Sequence, residues 1–144
     1  RETKNVVGIK YSFSDMERFR QYLQCGDGNF DVIVGPDRLM LAGLMMGCKG
    51  TVAGCSQCDP TPFVNCYQAF LEGNMSAAQQ ASAEINELCD IVKAGSNIAY
   101  TKAALESEGL GRTHVRAPAL DLDDAHRDVL LTQLKEYRRK YSRV

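Results

Sequence analysis

The chain has 144 residues, 44% of them hydrophobic and 24% charged, with a formal net charge of -1. That is the length of one ordinary globular domain with enough apolar mass to bury a core, and well short of the roughly 250 residues of a complete (β/α)8 barrel. A charge this close to zero gives no support for a nucleic-acid binder, and no apolar run of about 18 residues offers a membrane span.

The opening residues Arg1, Glu2, Thr3, Lys4 and Asn5 lack the apolar segment of a signal peptide, and the missing initiator Met points to a cut end. Residues 1–73 alternate short β-branched runs with helical patterns. From 74 to 144 the pattern is helical throughout, which divides the chain into an α/β part and a helical part. The first expected strand is Asn5 to Tyr11, rich in β-branched residues. Ser12 or Ser14 then offers an N-cap to a helix in which Met16, Phe19, Tyr22 and Leu23 recur at helical spacing. Gly26, Asp27, Gly28 and Asn29 signal a turn before a second strand, Asp31 to Gly35. A helix through Leu39 to Met46 follows, with Gly47 as its expected stop. The third strand is expected over Gly50 to Gly54, and a helix over Phe63 to Leu71 closes at Gly73. Strands and helices alternating with short connections imply parallel strands and an α/β architecture.

In the second half, Met75 to Ile91 places Ala77, Ala81, Ile85 and Leu88 on one stripe. A helix over Ile98 to Glu108 ends at Gly109, and a loop from Arg112 to Leu120 follows. The last helix starts near Asp121 or Asp123, both plausible N-caps, and carries Leu130, Leu134, Tyr137 and Tyr141 on one face. Its basic end (Lys135, Arg138, Arg139, Lys140, Arg143) reads as a solvated last turn that complements the helix dipole.

Cysteines stand at 25, 48, 55, 58, 66 and 89, inside apolar runs rather than in a loop-rich scaffold. They read as reduced, mostly buried thiols of a cytoplasmic protein. Cys55 and Cys58 form a CxxC, but no second CxxC or nearby His completes a zinc set. His114 and His126 lie far along the chain, and His126 reads as a surface residue.

Alternation along the first strand puts Val6, Gly8 and Lys10 on one face and Val7, Ile9 and Tyr11 on the other. Lys10 therefore falls at the carboxyl end of a parallel strand, where the active sites of such sheets gather. A lysine held there is partly desolvated, which favours the neutral amine that attacks carbonyls. The plainer alternative is a lysine that snorkels to solvent from a strand end.

Gly8-Ile9-Lys10-Tyr11-Ser12, with Asp15 after it, resembles the Schiff-base strand of the dihydrodipicolinate synthase / N-acetylneuraminate lyase family. Val34-Gly35-Pro36-Asp37 looks like that family's next strand end. Gly47-Cys48-Lys49-Gly50-Thr51-Val52-Ala53-Gly54 is similar to its following glycine-rich strand. Lys102 to Leu105, Gly109-Leu110 and Val115 to Pro118 fit its C-terminal helical region, so the resemblance covers essentially the whole chain.

The resemblance implies the last three βα units of a (β/α)8 barrel over residues 1–73, followed by a C-terminal all-helical extension over 74–144. It implies a lyase or aldolase in which Lys10 forms a Schiff base with pyruvate or a 2-oxo acid, for C–C bond formation with an aldehyde or the reverse. Ser12 would lie near the substrate, Gly35 and Asp37 would line the pocket, and Val52 would present its carbonyl to the pyruvate moiety. Gly54 takes the place of a serine found in neuraminate lyases, and Arg38 that of a glutamate, which stands against sialic acid as substrate. No metal or organic cofactor is implied, and the family suggests a homo-oligomer, commonly a tetramer. The family's catalytic tyrosine and its Gly/Thr-rich carboxylate loop match no position here, and Tyr11 is turned away from Lys10.

Two other readings remain. Three parallel strands cannot close a barrel, so the chain alone could be a non-catalytic half-barrel that exposes Val6, Val32 and Val52 unless a companion N-terminal half covers them. The CxxC could instead mark a redox or metal module.

Overall fold

Three short strands, β1 (Gly8–Tyr11), β2 (Asp31–Val34) and β3 (Gly50–Thr51), form one parallel sheet in the order β1-β2-β3. The computed structural model describes residues 5–95, 97–111 and 113–142. Arg1 to Lys4 of the opening stretch, Arg112 of the loop and Arg143 of the basic tail lie outside them. Ile9 stands beside Val32, Lys10 beside Ile33 and Tyr11 beside Val34, while Ile33 and Val34 meet Gly50 and Thr51. Laterally paired residues share a face. Tyr11, Val32 and Val34 are therefore buried together, and Lys10, Ile33 and Gly50 stand on the opposite side.

This register corrects one expectation. Val6 and Val52 are each 51% exposed, as anticipated for an open face, but Val32 is 1% exposed. It pairs with Ile9 rather than with Gly8 or Lys10, so its phase is the reverse, and Ile33 takes the open face instead. The strands are also shorter than the β-branched runs suggest. Val52 still donates its N–H to the Val34 carbonyl at 3.1 Å. Beyond it the chain curls into a 3-10 turn over Cys55–Gln57, in which the Ser56 hydroxyl bonds back to the Ala53 carbonyl.

On the covered side, α1 (Met16–Leu23) sets Phe19 and Tyr22 against Tyr11, with ring centroids 6.1 and 5.3 Å away. Asp15, not Ser12 or Ser14, caps this helix; its carboxylate accepts the Arg18 N–H at 3.0 Å. The serines lie too early in the chain to reach the first free amides. After β2, a 3-10 turn over Asp37–Leu39 leads into α2 (Met40–Met46), which stops at Gly47 in the left-handed conformation (φ 102°).

Helix α3 (Thr61–Leu71) carries Pro62 in its first turn and packs along α4 (Met75–Ile91), which Asn74 caps. The buried stripe of α4 is Ala78, Ala81, Ile85, Leu88 and Cys89; Ala78 replaces the expected Ala77, which is half-buried. Helix α5 (Ile98–Ser107) and helix α6 (Asp124–Lys140) complete the chain, and α6 buries Leu130, Leu134 and Tyr137. Of the two candidate caps of α6, Asp123 is used, accepting the His126 N–H at 2.8 Å. Asp121 instead accepts the Val115 N–H and meets the His114 ring, which braces the preceding loop. Two residues of the basic end of α6 also make ion pairs: Lys140 meets Glu87 at 2.6 Å, and Arg138 meets Glu108. No helix among the described residues is long and apolar enough to cross a membrane.

Leu88 is fully enclosed where α4 meets its neighbours, so Leu88→Ala should cost about 2–5 kcal/mol through lost burial and a residual cavity. Val129, 58% exposed on α6, should tolerate the same change within about 0.5 kcal/mol. Urea unfolding of the two variants checks the contrast. All six cysteines are free and all but Cys25 are buried. A thiol reagent should accordingly modify Cys25 first in the native chain and the others only on unfolding, as peptide mapping would read.

Candidate active site

Parallel strands bring their carboxyl ends to one edge, and there the first two strands nearly touch. The Gly35 N–H donates to the Tyr11 carbonyl at 2.8 Å. A Cβ on Gly35 would lie 2.8 Å from the Ser12 Cα and 2.9 Å from the Tyr11 oxygen, a space only glycine leaves free. The residue after β1 and the turn after β2 are thereby held side by side.

A cavity of about 480 Å³ opens at this junction, lined by Lys10, Ser12, Gly35 and Asp37, with Ala94 and Gly95 from the connection between α4 and α5. Four of the six residues singled out in the sequence thus converge. Val52 and Gly54 do not line this cavity. Val52 stands on the open face after β3, and Gly54 borders a neighbouring cavity of about 410 Å³ that also reaches Asp37. A Cβ on Gly54 would meet nothing within 4 Å, so its lack of a side chain is not imposed by packing.

Lys10 is exposed, and of the residues that share its face Ile33 and Gly50 are only half-buried among the described residues. The expected desolvation of its amine is therefore not supplied by the described residues. Tyr11 is buried on the opposite side, as alternation requires.

Asp37 is anchored rather than free. Its Oδ1 accepts the Cys55 N–H at 2.7 Å and lies 2.7 Å from the Cys55 Sγ. The Cys55 sulfur in turn stands 3.1 Å from that of Cys89, which comes from the last turns of α4. Sequence reasoning missed Cys89 at this site, since no local spacing links it to Cys55, 34 residues earlier. The hydrogen bond with Cys89, burial and the nearby Asp37 carboxylate push the Cys55 thiol well above an ordinary cysteine. Burial pushes the Cys58 thiol up to about 11. A CxxC redox motif needs a thiol shifted the other way, so the CxxC does not have the electrostatics of a thiol-exchange site. Arg38, noted in the sequence as a departure at the pocket, turns its guanidinium to α4. It pairs with Asp90 at 2.8 Å and donates to the Asn86 carbonyl at 3.0 Å, bracing the turn that carries Asp37.

Known proteins resemble this chain in sequence and fold. The model of the dihydrodipicolinate synthetase family matches residues 1–137. The 4-hydroxy-tetrahydrodipicolinate synthase of Methanoculleus marisnigri is 31% identical over 127 residues, 88% of this chain and 44% of its own length. That of Geotalea daltonii is 28% identical over 138 residues, 95% of this chain and 47% of its own. The dihydrodipicolinate synthase structure from Bacteroides thetaiotaomicron superposes with a TM-score of 0.84 at 21% identity, covering 94% of this chain and 48% of that one. A prophage protein of the same family from E. coli, solved in complex with pyruvate, superposes with a TM-score of 0.83 at 22% identity over 95% and 48%. The chain spans about half the length of the curated relatives it matches. Its strand ends, its glycine-mediated junction and a family model aligned over nearly every residue lead to one conclusion: the chain belongs to the dihydrodipicolinate synthetase family.

Proposed function

We propose that this chain carries the nucleophile half of a pyruvate-dependent class I aldolase or lyase. Residues 1–73 would be the last three βα units of a (β/α)8 barrel, and residues 74–144 the helical region that follows. One observation carries the reading: Lys10, the penultimate residue of β1, lines the cavity where Ser12, Gly35 and Asp37 converge. In the proposed step the neutral Lys10 Nζ attacks the carbonyl carbon of pyruvate or a 2-oxo acid; the resulting carbinolamine takes up one proton from solvent, its C–O bond breaks with loss of water, and a protonated imine remains. The imine nitrogen then accepts the electron pair of the adjacent breaking bond, so a C–C bond forms or breaks without a free carbanion. Ser12 and Gly35 stand where the substrate would approach, and Val52 and Gly54 would contribute from the next strand end.

The open face of the sheet shapes the test. Val6 and Val52, each 51% exposed, flank the face on which Lys10 stands, and closing a barrel over them would exclude water from the amine. General acid–base help would come from a tyrosine outside these 144 residues, since Tyr11 points away from Lys10. The half-barrel reading thus becomes one arm of the experiment, in which the chain is assayed alone and complemented by the preceding half of a relative's barrel.

Incubation of the complemented protein with pyruvate and borohydride should leave a reduced adduct on the peptide containing Lys10, read by mass mapping, and Lys10→Ala should abolish it. Absence of any adduct in the folded, complemented protein would sink the reading; an adduct on another lysine would move the nucleophile. Gly35→Ala should destabilise the chain by about 1–3 kcal/mol, because its methyl collides with backbone atoms of Tyr11 and Ser12. Gly54→Ser should change stability by less than about 0.5 kcal/mol, and denaturant titration of both variants separates the two glycines.

A further inference from the structure

Beside the Lys10 cavity, three donors from distant parts of the chain meet in one place. Asp37 belongs to the turn after β2, Cys55 to the turn after β3 and Cys89 to the last turns of α4. One ligand atom from each lies within 4.8 Å of the other two. Both cysteines are enclosed, at 1% and 0% exposure. We propose that Asp37, Cys55 and Cys89 form a binding site for one thiophilic divalent cation, with zinc as the natural occupant. The inference goes beyond the Schiff-base reading, whose chemistry needs no metal.

The chemistry of the donors carries it. Two sulfurs and a carboxylate oxygen form a set that favours zinc over magnesium or calcium, which seek oxygen alone. The sulfurs stand 3.1 Å apart and the Asp37 oxygen 2.7 Å from the nearer one. Around zinc, bonds of about 2.3 Å at tetrahedral angles hold two sulfurs roughly 3.8 Å apart, so binding spreads the donors by less than about 1 Å. Room for that movement lies on the Asp37–Cys55 side, where the cavity bordered by Gly54, Gln57, Ala94 and Gly95 opens. The same cavity would give a route inward and space for a solvent ligand at the fourth position. Empty, the cluster crowds three groups that all become anions on ionisation, an arrangement that opposes accumulating negative charge there. A double positive charge reverses that balance, and two thiol protons leave to solvent as the metal binds. The bound cation would tie the ends of β2 and β3 to α4 and so stiffen the wall that Asp37 shares with the Lys10 cavity.

The test uses the reduced 144-residue chain, stripped with a chelator and titrated with cobalt(II) as a spectroscopic stand-in, then with zinc to displace it. One cobalt per chain is expected, with near-ultraviolet thiolate-to-cobalt charge-transfer absorption that zinc abolishes. Cys89→Ser and Asp37→Asn should each weaken binding at least about tenfold while circular dichroism stays unchanged. Cys25→Ser, at an exposed site, and Cys58→Ser, the other member of the CxxC, should bind as the unmodified chain does. The proposal falls if the folded chain gives no thiolate–cobalt band, if the band survives Cys89→Ser, or if Cys58→Ser removes it. Should Cys89→Ser fail to fold, Asp37→Asn decides, and undiminished affinity there overturns the proposal. Neither readout involves Lys10, so failure here and failure of borohydride trapping are independent results.

Discussion

The bond from the Gly35 N–H to the Tyr11 carbonyl, made across a gap too narrow for a Cβ, is the constraint on which the site depends. It fixes the ends of β1 and β2 against each other at the edge of the sheet. Lys10 and Ser12 are then delivered from one side and Asp37 from the other. Because the strands are parallel, the next strand end falls at the same edge without further specification, which brings Gly54 and Cys55 to Asp37. A larger residue at position 35 would collide with Ser12 and the Tyr11 carbonyl and force the two ends to shift.

Around that junction the chain places its helices asymmetrically. The face carrying Tyr11, Val32 and Val34 is sealed by α1 and α2, and Phe19 is fully enclosed against it. Among the described residues the face carrying Lys10, Ile33 and Val52 is less covered, with Lys10 and Val52 exposed and Ile33 half-buried. Parallel sheets are ordinarily covered on both sides, since an uncovered face leaves apolar surface in water. The relatives this chain matches are about twice its length. The proposed chemistry of Lys10 depends on that face being covered, because an exposed amine lacks the dry environment that favours its neutral form.

Much of this was legible in the residues themselves. Element order, parallel strands, the Gly47 stop and the three helices of the second half follow from periodicity and capping chemistry, which act over a few residues. Lys10, Ser12, Gly35 and Asp37 converge as the strand-end logic anticipates. Failures of the sequence reading have physical causes too. The phase of β2 depended on whether Val32 pairs with Ile9 or with Lys10, and β-branched runs with apolar residues at every position do not encode that choice. The cap of α1 fell to Asp15 because reach to the Arg18 amide, not residue preference, decides among neighbouring candidates.

The sequence by itself determined what is local: which segments are strands and helices, and which lysine lies near the carboxyl end of a strand. Tertiary structure alone decided what is distant. It set Cys89 against Cys55 rather than leaving Cys55 to its neighbour Cys58, and it turned Arg38 to Asp90 and Asp37 to the Cys55 amide. It also chose which face of the sheet lies bare. Each of these depends on how helices pack across tens of residues of intervening chain. The burial energy that sets such packing is non-directional and leaves no short-range mark in the sequence.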